Sequence, residues 1–193
     1  MMIMKKVCSL YLVFLFVSFI GFLYEYSLAY MLNYDLDRNF LNLPICPIYG
    51  SGIILSYLIF DTPKNMRIFN YKIKSNNKIK LYLYFLFTAL SASILEYIIG
   101  IYFEKVFNKE LWNYNDLLFT FNKYCSLIPS IGWGLLITIF MNIYFDRIYK
   151  KINSLRMDSL IIISLPSLIL IIIDLLFTIF LKWIIYLLYF IML

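Results

Sequence analysis

Apolar residues in this 193-residue chain gather in blocks that match the thickness of a bilayer. A helix needs roughly 20 mainly apolar residues to cross a hydrocarbon core about 30 Å thick. The predicted spans cover residues 7–32, 47–60, 81–103, 126–145 and 159–181. We therefore expect an all-α fold, a polytopic membrane bundle of about five transmembrane helices that forms a single domain over residues 1–193.

Composition and charge indicate lipid rather than nucleic acid as the environment. Hydrophobic residues make up 63% of the sequence and charged residues 15%, whereas soluble domains are roughly 45–50% apolar. The formal net charge is +6, but the basic residues cluster between the apolar blocks, as in cytoplasmic loops under the positive-inside rule. We expect the N-terminus and the loops 61–80 and 146–158 to be cytoplasmic, and no nucleic-acid partner.

The first apolar block resembles a signal peptide at its two ends. Lys5 and Lys6 precede it, and the small residues Ser27 and Ala29 stand where a cleavage site would be. The block is longer than the roughly 7–15 apolar residues of a signal peptide, and Glu25 lies inside it. We therefore interpret it as a transmembrane span.

The second block opens with the segment Pro44-Ile45-Cys46-Pro47-Ile48-Tyr49-Gly50-Ser51-Gly52. Proline removes a backbone donor and glycine is a poor helix former, so this motif predicts a short second span, broken here. Broken helices in transporters place freed backbone groups beside a substrate, which makes Tyr49 and Gly50 candidate pathway residues. The alternative is a rigid external turn that starts a helix, because proline is favoured in a first helical turn.

The last apolar block is longer than one bilayer requires. Residues 159–193 would form about 50 Å of helix at roughly 1.5 Å per residue. Lys182 and Trp183 predict the outer interface, with the final apolar residues lying along it. A short sixth span is the alternative.

Three ionisable side chains, Glu25, Glu96 and Asp174, fall inside predicted spans. An Asp at mid-membrane costs roughly 2.5–3.5 kcal/mol, so such residues mark functional sites by default. The spacing of Glu25 places it on one helix face with Ser18 and Gly21. These acids are candidates for lining a polar cavity that takes an ion or a substrate.

Two further patterns of spacing accompany these acids. Glu96, Gly100 and Glu104 recur every four residues, so a small residue stands between two acids at a place where helices can approach closely. Asp174 begins a similar series with Thr178 and Lys182, which is compatible with a chain of charged and polar contacts along one helix.

A structural role is the alternative for every one of these acids. They would then hold the bundle together by hydrogen bonds, or pair with Arg38, Lys105 or Lys123 near the outer interface. For Glu104 this alternative is favoured, because a carboxylate at a helix end has solvent near it.

Missing residues and motifs restrict the chemistry. The chain has no histidine, which excludes histidine-based catalysis and zinc sites that contain histidine. Its cysteines lack CxxC spacing, so we expect no metal site; Cys46 and Cys125 both fall on the external side, either unpaired or as a disulfide. No phosphate-binding loop, nucleophile elbow or zincin motif occurs, so the chain cannot hydrolyse ATP itself, and we expect no cofactor.

Several short motifs follow one another in a fixed order. They are Ser18-Phe19-Ile20-Gly21 with Glu25, Pro44-Ile45-Cys46-Pro47-Ile48-Tyr49-Gly50, Leu95-Glu96-Tyr97 with Gly100, Glu104-Lys105 and Phe107, Trp112-Asn113-Tyr114, and Trp133-Gly134. In order and spacing they resemble the bacterial family of ABC-transporter permeases of the CmpB type, over roughly Phe16 to Asp174. The resemblance implies a membrane-spanning transport subunit that works with a separate ATP-binding protein.

The departures from the family pattern fall on polar positions. Asp37-Arg38-Asn39 stands where the family has Asn-Arg-Gly, Asn113 stands where an acid is usual, and Lys123 is the nearest substitute for an arginine before Cys125. Lysine cannot make the bidentate carboxylate contact of arginine. If that arginine pairs with a membrane glutamate in relatives, the pair is weaker or rearranged here.

The leading hypothesis is therefore a transport permease subunit in the bacterial cytoplasmic membrane, with a cytoplasmic N-terminus. Glu25 and Glu96 would line its pathway, Arg38 and Lys123 would guard the outer mouth, and the loop 61–80 would meet a cytoplasmic ATPase. A homo-oligomer is expected, because five short spans enclose little. The alternatives are an intramembrane enzyme that uses a glutamate as general acid or base on a lipid or isoprenoid, and an accessory scaffold.

Overall fold

The fold is all-α, as the apolar blocks predict. A computed structural model describes residues 2–32 and 41–191, and the side chains of 2–31 and 41–181. Its helices are α1 (Met2–Leu32), α2 (Pro47–Phe60), α3 (Asn77–Phe107), α4 (Leu127–Ile139), α5 (Phe145–Asn153) and α6 (Met157–Ile191). The short elements are a 3-10 turn (Pro63–Asn65), a π-helical turn (Phe140–Tyr144) and the strands β1 (Arg67–Ile68), β2 (Tyr71–Lys72), β3 (Thr120–Asn122) and β4 (Cys125–Ser126). β1 pairs antiparallel with β2, and β3 with β4.

Four helical stretches among the described residues are long and apolar enough to cross a bilayer. They are Met2–Met31, Asn77–Phe107, Leu127–Asn153 and Met157–Leu181. The second predicted span is the short one, since α2 has 14 residues and at roughly 1.5 Å per residue reaches about 21 Å. Ile162 and Leu176 on α6 are 70% and 60% exposed, and side chains of this kind require lipid around them. The chain is a membrane protein.

The break in the second span lies before the helix rather than inside it. The segment Pro44–Cys46 is not helical, α2 begins at Pro47, and both Gly50 and Gly52 are helical. Proline suits this first position because its missing N–H would have no helical partner there. The glycines remain helical because an isolated glycine costs a helix only about 1 kcal/mol relative to alanine.

Two predicted boundaries differ from the structure. The fourth span does not end at Phe145, because the helix continues through the π turn and α5 to Asn153. Most of the predicted loop 146–158 is therefore helical, which follows from the helix propensity of its lysines and arginines and from the absence of glycine and proline there. At the other end, α6 runs without a break to Ile191, so neither a separate interfacial segment nor a sixth helix follows residue 181 in the described part of the chain.

Asp61 organises the connection between α2 and α3. Its carboxylate accepts the Thr62 N–H at 2.7 Å and pairs with Arg67 at 3.4 Å. Its backbone carbonyl accepts the Tyr84 hydroxyl of α3 at 3.0 Å. This hydrogen bond holds the start of the basic segment 61–80, which is predicted to be cytoplasmic, against α3.

The chain forms two compact units. They are Met1–Gly50 together with Lys151–Leu193, and Ser51–Lys150. In the first unit, the Ser9 hydroxyl donates to Asn153 at 3.1 Å and the Tyr11 hydroxyl donates to Ser167 at 3.3 Å. In the second unit, α3 and α4 are joined by a hydrogen bond of 3.3 Å between Thr88 and Thr138. Hydroxyl contacts of this kind join helices in lipid, where burial of apolar surface contributes little.

The close approach of α4 to α3 depends on one glycine. A Cβ built on Gly134 would lie 2.6 Å from the Cβ of Ala89, whereas one built on Gly132 would meet nothing within 4 Å. We expect Gly134→Ala to lower the thermal midpoint of the protein in detergent, because overpacking costs about 1–3 kcal/mol. Gly132→Ala is the matched control, and its gain in helix propensity should leave the midpoint unchanged or slightly raised. Equal shifts in both variants would contradict this account of the helix contact.

Candidate functional site

Glu96 lies in the interior of the second unit with two aromatic donors on one of its oxygens. The residue is 4% exposed. Its Oε1 accepts the Tyr114 hydroxyl at 2.8 Å and the Trp133 indole N–H at 2.7 Å. Its Oε2 is buried and has no hydrogen-bond partner among the described residues. One carboxylate oxygen is thus fixed by the protein, while the other remains available as an acceptor.

Both donors to Glu96 are held by their own surroundings. Trp133 stands on α4, whose Ser130 hydroxyl receives a hydrogen bond of 2.6 Å from Ser93 of α3. Tyr114 lies in the connection between α3 and β3, where its N–H donates to the Lys123 carbonyl at 2.8 Å. The carboxylate therefore faces a prearranged set of groups. An acceptor that is buried and half satisfied is complementary to a positively charged or hydrogen-bond-donating group.

Glu104 forms a separate cluster one helical turn beyond Gly100. Its carboxylate accepts hydrogen bonds from the Lys123 ammonium and the Tyr124 hydroxyl, both at 2.5 Å, and Lys123 also lies 3.5 Å from Glu110. The hydrogen bond that Lys123 donates to Glu104 raises the pKa of Lys123 above its ordinary value. Glu104 and Lys123 are partly exposed, so this cluster matches the structural alternative for Glu104, an ion pair that fixes the β3–β4 segment against α3.

Gly100 makes room for an aromatic ring rather than for a helix. A Cβ on Gly100 would lie less than 3.0 Å from the ring of Tyr124. The expected close approach at this glycine is real, but the group that fills it comes from the residue before β4. Lys123, the substitute for the family's arginine, does contact a glutamate, with a single ammonium in place of a guanidinium.

Glu25 has a comparable arrangement in the first unit. The Tyr49 hydroxyl, on the first turn of α2, donates to Glu25 Oε1 at 2.5 Å. The Tyr49 ring lies on Gly21, where a Cβ would come within less than 3.0 Å of it. The predicted helix face of Ser18, Gly21 and Glu25 thus meets the predicted Pro44–Gly50 motif.

Ser18 and Gly50 complete this junction. The Ser18 carbonyl accepts the Cys46 N–H at 2.9 Å. A Cβ on Gly50 would lie less than 3.0 Å from the Ser18 hydroxyl and from the Phe14 carbonyl. The Ser18 hydroxyl is fully buried and has no hydrogen-bond partner among the described residues. The start of α2 therefore packs directly on the backbone of α1.

Asp174 binds backbone and amide donors in the first unit. It is 9% exposed, and it accepts the Asn42 side-chain amide at 2.8 Å and the Leu43 N–H at 2.9 Å. Asn42 also donates to Thr178 at 3.0 Å. Asp174 thus anchors the segment that precedes α2 to α6. The side chain of Lys182 lies outside the described residues, so the predicted series along α6 stays a prediction.

The predicted site residues fall into separate groups. Tyr49 and Gly50 lie with Glu25, and Lys123 lies with Glu104. The hydrogen bonds to Glu96 come from Tyr114 and Trp133, which were not predicted as site residues. Arg38 lies outside the described residues. Convergence of Glu25, Glu96 and Arg38 on one cavity therefore stays a prediction.

Three aromatic residues of these clusters were not predicted as site residues. Tyr114, Tyr124 and Trp133 each donate to a glutamate of α3. A signal was available, because a tyrosine or tryptophan in an apolar segment must find an acceptor for its polar group, and the acceptors in these segments are few. Which acceptor each one reaches depends on contacts between residues distant in sequence.

All three cysteines are free thiols in this structure, and the disulfide alternative for Cys46 and Cys125 stays a prediction. Among the described residues, no group of three or more potential metal ligands occurs.

The model of the family described as "Putative ABC-transporter type IV" matches residues 12–179. The chain belongs to this family. The match confirms the resemblance seen in the motifs, and it includes Glu25, Glu96, Glu104 and Asp174. No curated protein and no solved structure matches the chain. For this type IV family member, the activity has to be argued from the clusters themselves.

Removal of one donor should reveal how strongly Glu96 is held. Tyr114→Phe deletes a hydrogen bond to a buried carboxylate, so we expect a loss of about 1–3 kcal/mol in stability and a lower thermal midpoint in detergent. Tyr82→Phe is the matched control, because Tyr82 stands on α3, the helix of Glu96, and is 62% exposed. The account fails if both substitutions shift the midpoint equally.

Cys46 should be chemically inert in the folded protein. Burial, followed by the negative charge of Glu25, raises the pKa of the Cys46 thiol to about 12. At pH 8 only roughly one thiol in ten thousand would then be ionised, and the thiolate is the reactive form. In a Cys8→Ser/Cys125→Ser background we expect negligible maleimide labelling until the protein is unfolded, and faster labelling when Glu25→Gln removes the nearby charge. Rapid labelling of the folded protein at pH 8 would contradict this expectation.

Proposed function

We propose that this chain is the permease subunit of a transporter in a bacterial cytoplasmic membrane, energised by a separate ATP-binding protein. Membership of the type IV ABC-transporter family supports the general class. The sequence contains no phosphate-binding loop, which supports a nucleotide site on a separate protein.

The state of Glu96 is the observation that carries this proposal. A carboxylate that is 4% exposed has no role as a solubilising charge. A purely structural carboxylate would be expected to satisfy both oxygens, because an unpaired buried polar atom destabilises a fold. Here both aromatic donors bind Oε1, and Oε2 has no partner among the described residues. This oxygen would receive the cationic or hydrogen-bond-donating group of a transported substrate.

The remaining parts of the proposal follow from charge distribution. Basic residues at the N-terminus, in 61–80 and in α5 would face the cytoplasm under the positive-inside rule, with the anchored 61–80 segment offered to the ATPase. Glu25 would line the pathway with Glu96, and Lys123 and Arg38 would lie towards the outer mouth. Because few spans enclose little space, the working assembly would hold more than one copy of the chain.

The proposal is tested by Glu96→Gln in the complex isolated from its own host at native expression. Glutamine keeps an amide oxygen for Tyr114 and Trp133 but removes the charge, so the fold should persist. We expect the wild-type chain to co-purify with a nucleotide-binding protein and the complex to hydrolyse ATP. Glu96→Gln should lower that hydrolysis about tenfold, the scale of one hydrogen bond to a charged group. Asp158→Asn, at a carboxylate that is 74% exposed, is the matched control.

Two results would overturn the proposal. One is reproducible purification of the chain at native levels without any ATP-hydrolysing partner. The other is an assembled Glu96→Gln complex that hydrolyses ATP at the wild-type rate while its thermal midpoint falls, because Glu96 would then serve only the packing of α3 against α4.

A further inference from the structure

Eight positions of α1 carry the same residue as positions of α3 at a constant offset of 71. The identical pairs are Leu10 and Leu81, Tyr11 and Tyr82, Leu12 and Leu83, Phe14 and Phe85, Leu15 and Leu86, Phe16 and Phe87, Glu25 and Glu96, and Tyr26 and Tyr97. Matches among leucine and phenylalanine are common in apolar segments and carry little weight alone. The pair of Glu-Tyr sequences in the same register carries more, because a glutamate inside a span is rare.

The helix that follows each glutamate repeats a second pattern. In α2 an aromatic donor and a glycine stand together as Tyr49-Gly50, and in α4 as Trp133-Gly134. The Tyr49 hydroxyl donates to Glu25, and the Trp133 indole N–H donates to Glu96. An aromatic residue of the second helix thus binds the glutamate of the first helix in both cases.

The glycine contacts provide an independent comparison. Gly50 packs on Phe14 and Ser18, while Gly134 packs on Phe85 and Ala89. The offset of 71 that relates Glu25 to Glu96 also relates Phe14 to Phe85 and Ser18 to Ala89. Each glycine therefore meets its long helix at the positions seven and eleven residues before the glutamate.

We infer that α1–α2 and α3–α4 are two copies of one helix pair, and that the Glu25 cluster is a second ligand station equivalent to the Glu96 cluster. The donor, the acceptor and both glycine contacts coincide when α1 is aligned with α3 and Tyr49-Gly50 with Trp133-Gly134, and a common origin explains this agreement. Each copy also keeps a buried polar oxygen without a hydrogen-bond partner among the described residues, Oε2 of Glu96 in one and the Ser18 hydroxyl in the other. Internal repeats of this kind are a common way of building transporters.

The duplication sets the chemistry of the second station. Because an aromatic residue of the following helix donates to Glu25 as Trp133 donates to Glu96, Glu25 accepts the same class of group, one that is positively charged or donates a hydrogen bond. This assignment of a ligand role rests on the proposed transport function; the equivalence of the two clusters does not. One chain therefore provides two like stations, one in each unit.

Equivalence is tested on the purified full-length chain with dicyclohexylcarbodiimide, an apolar reagent that modifies carboxyl groups within membranes. Peptide mass spectrometry should find the adduct on both Glu25 and Glu96. Each adduct should disappear when that glutamate is changed to glutamine. Tyr49→Phe should raise modification of Glu25 alone, and Trp133→Phe that of Glu96 alone, each by roughly two- to tenfold for one hydrogen bond lost. Asp158, exposed to water, is the internal control.

The outcomes separate this inference from the proposed function. Modification of Glu96 without Glu25, or no response of Glu25 to Tyr49→Phe, would overturn the equivalence and leave the permease proposal standing. A fall in ATP hydrolysis of the complex in Glu25→Gln, similar to that in Glu96→Gln, supports both. If both glutamates are modified but neither glutamine variant changes ATP hydrolysis, the permease role of the stations is overturned while the duplication stands.

Discussion

Twice among the described residues, a hydrogen bond from an aromatic side chain to a glutamate connects a long helix to the following helix. Within lipid, water cannot satisfy a carboxylate, so its partners must come from the protein. Tyr49 and Trp133 meet this need while keeping an apolar ring towards their neighbours. The glycine after each aromatic residue allows the helix to come near enough for the bond to form. The bond and the close packing therefore depend on each other.

Much of the architecture follows from the sequence because lipid restricts the choices. Apolar blocks in a membrane must become helices, which explains why the all-α fold and the short second span were predictable. The ends of the helices were less predictable. α5 continues a span into a basic segment, since charge alone does not end a helix. The Glu25 face and the proline motif were two separate unusual patterns in the sequence, and the structure brings them together.

The clusters around α3 show where prediction from sequence stops. The spacing of Glu96, Gly100 and Glu104 indicated one polar face, but not that the partners would be Tyr114, Trp133 and Tyr124. Those contacts depend on how a loop and α4 fold back on α3, and no periodicity specifies that. The repeat is equally hard to recognise from the sequence alone, because the two equivalent donors, Tyr49 and Trp133, differ in residue type.

That difference between Tyr49 and Trp133 gives the two stations unequal chemistry. An indole nitrogen only donates, whereas a phenol oxygen also carries lone pairs that accept. Beside Glu25 the phenol oxygen comes from the helix that follows α1, whereas beside Glu96 the following helix supplies only a donor and the phenol oxygen comes from Tyr114, in the connection between α3 and β3. Two helix pairs that began alike would thus offer a ligand acceptors from different parts of the chain.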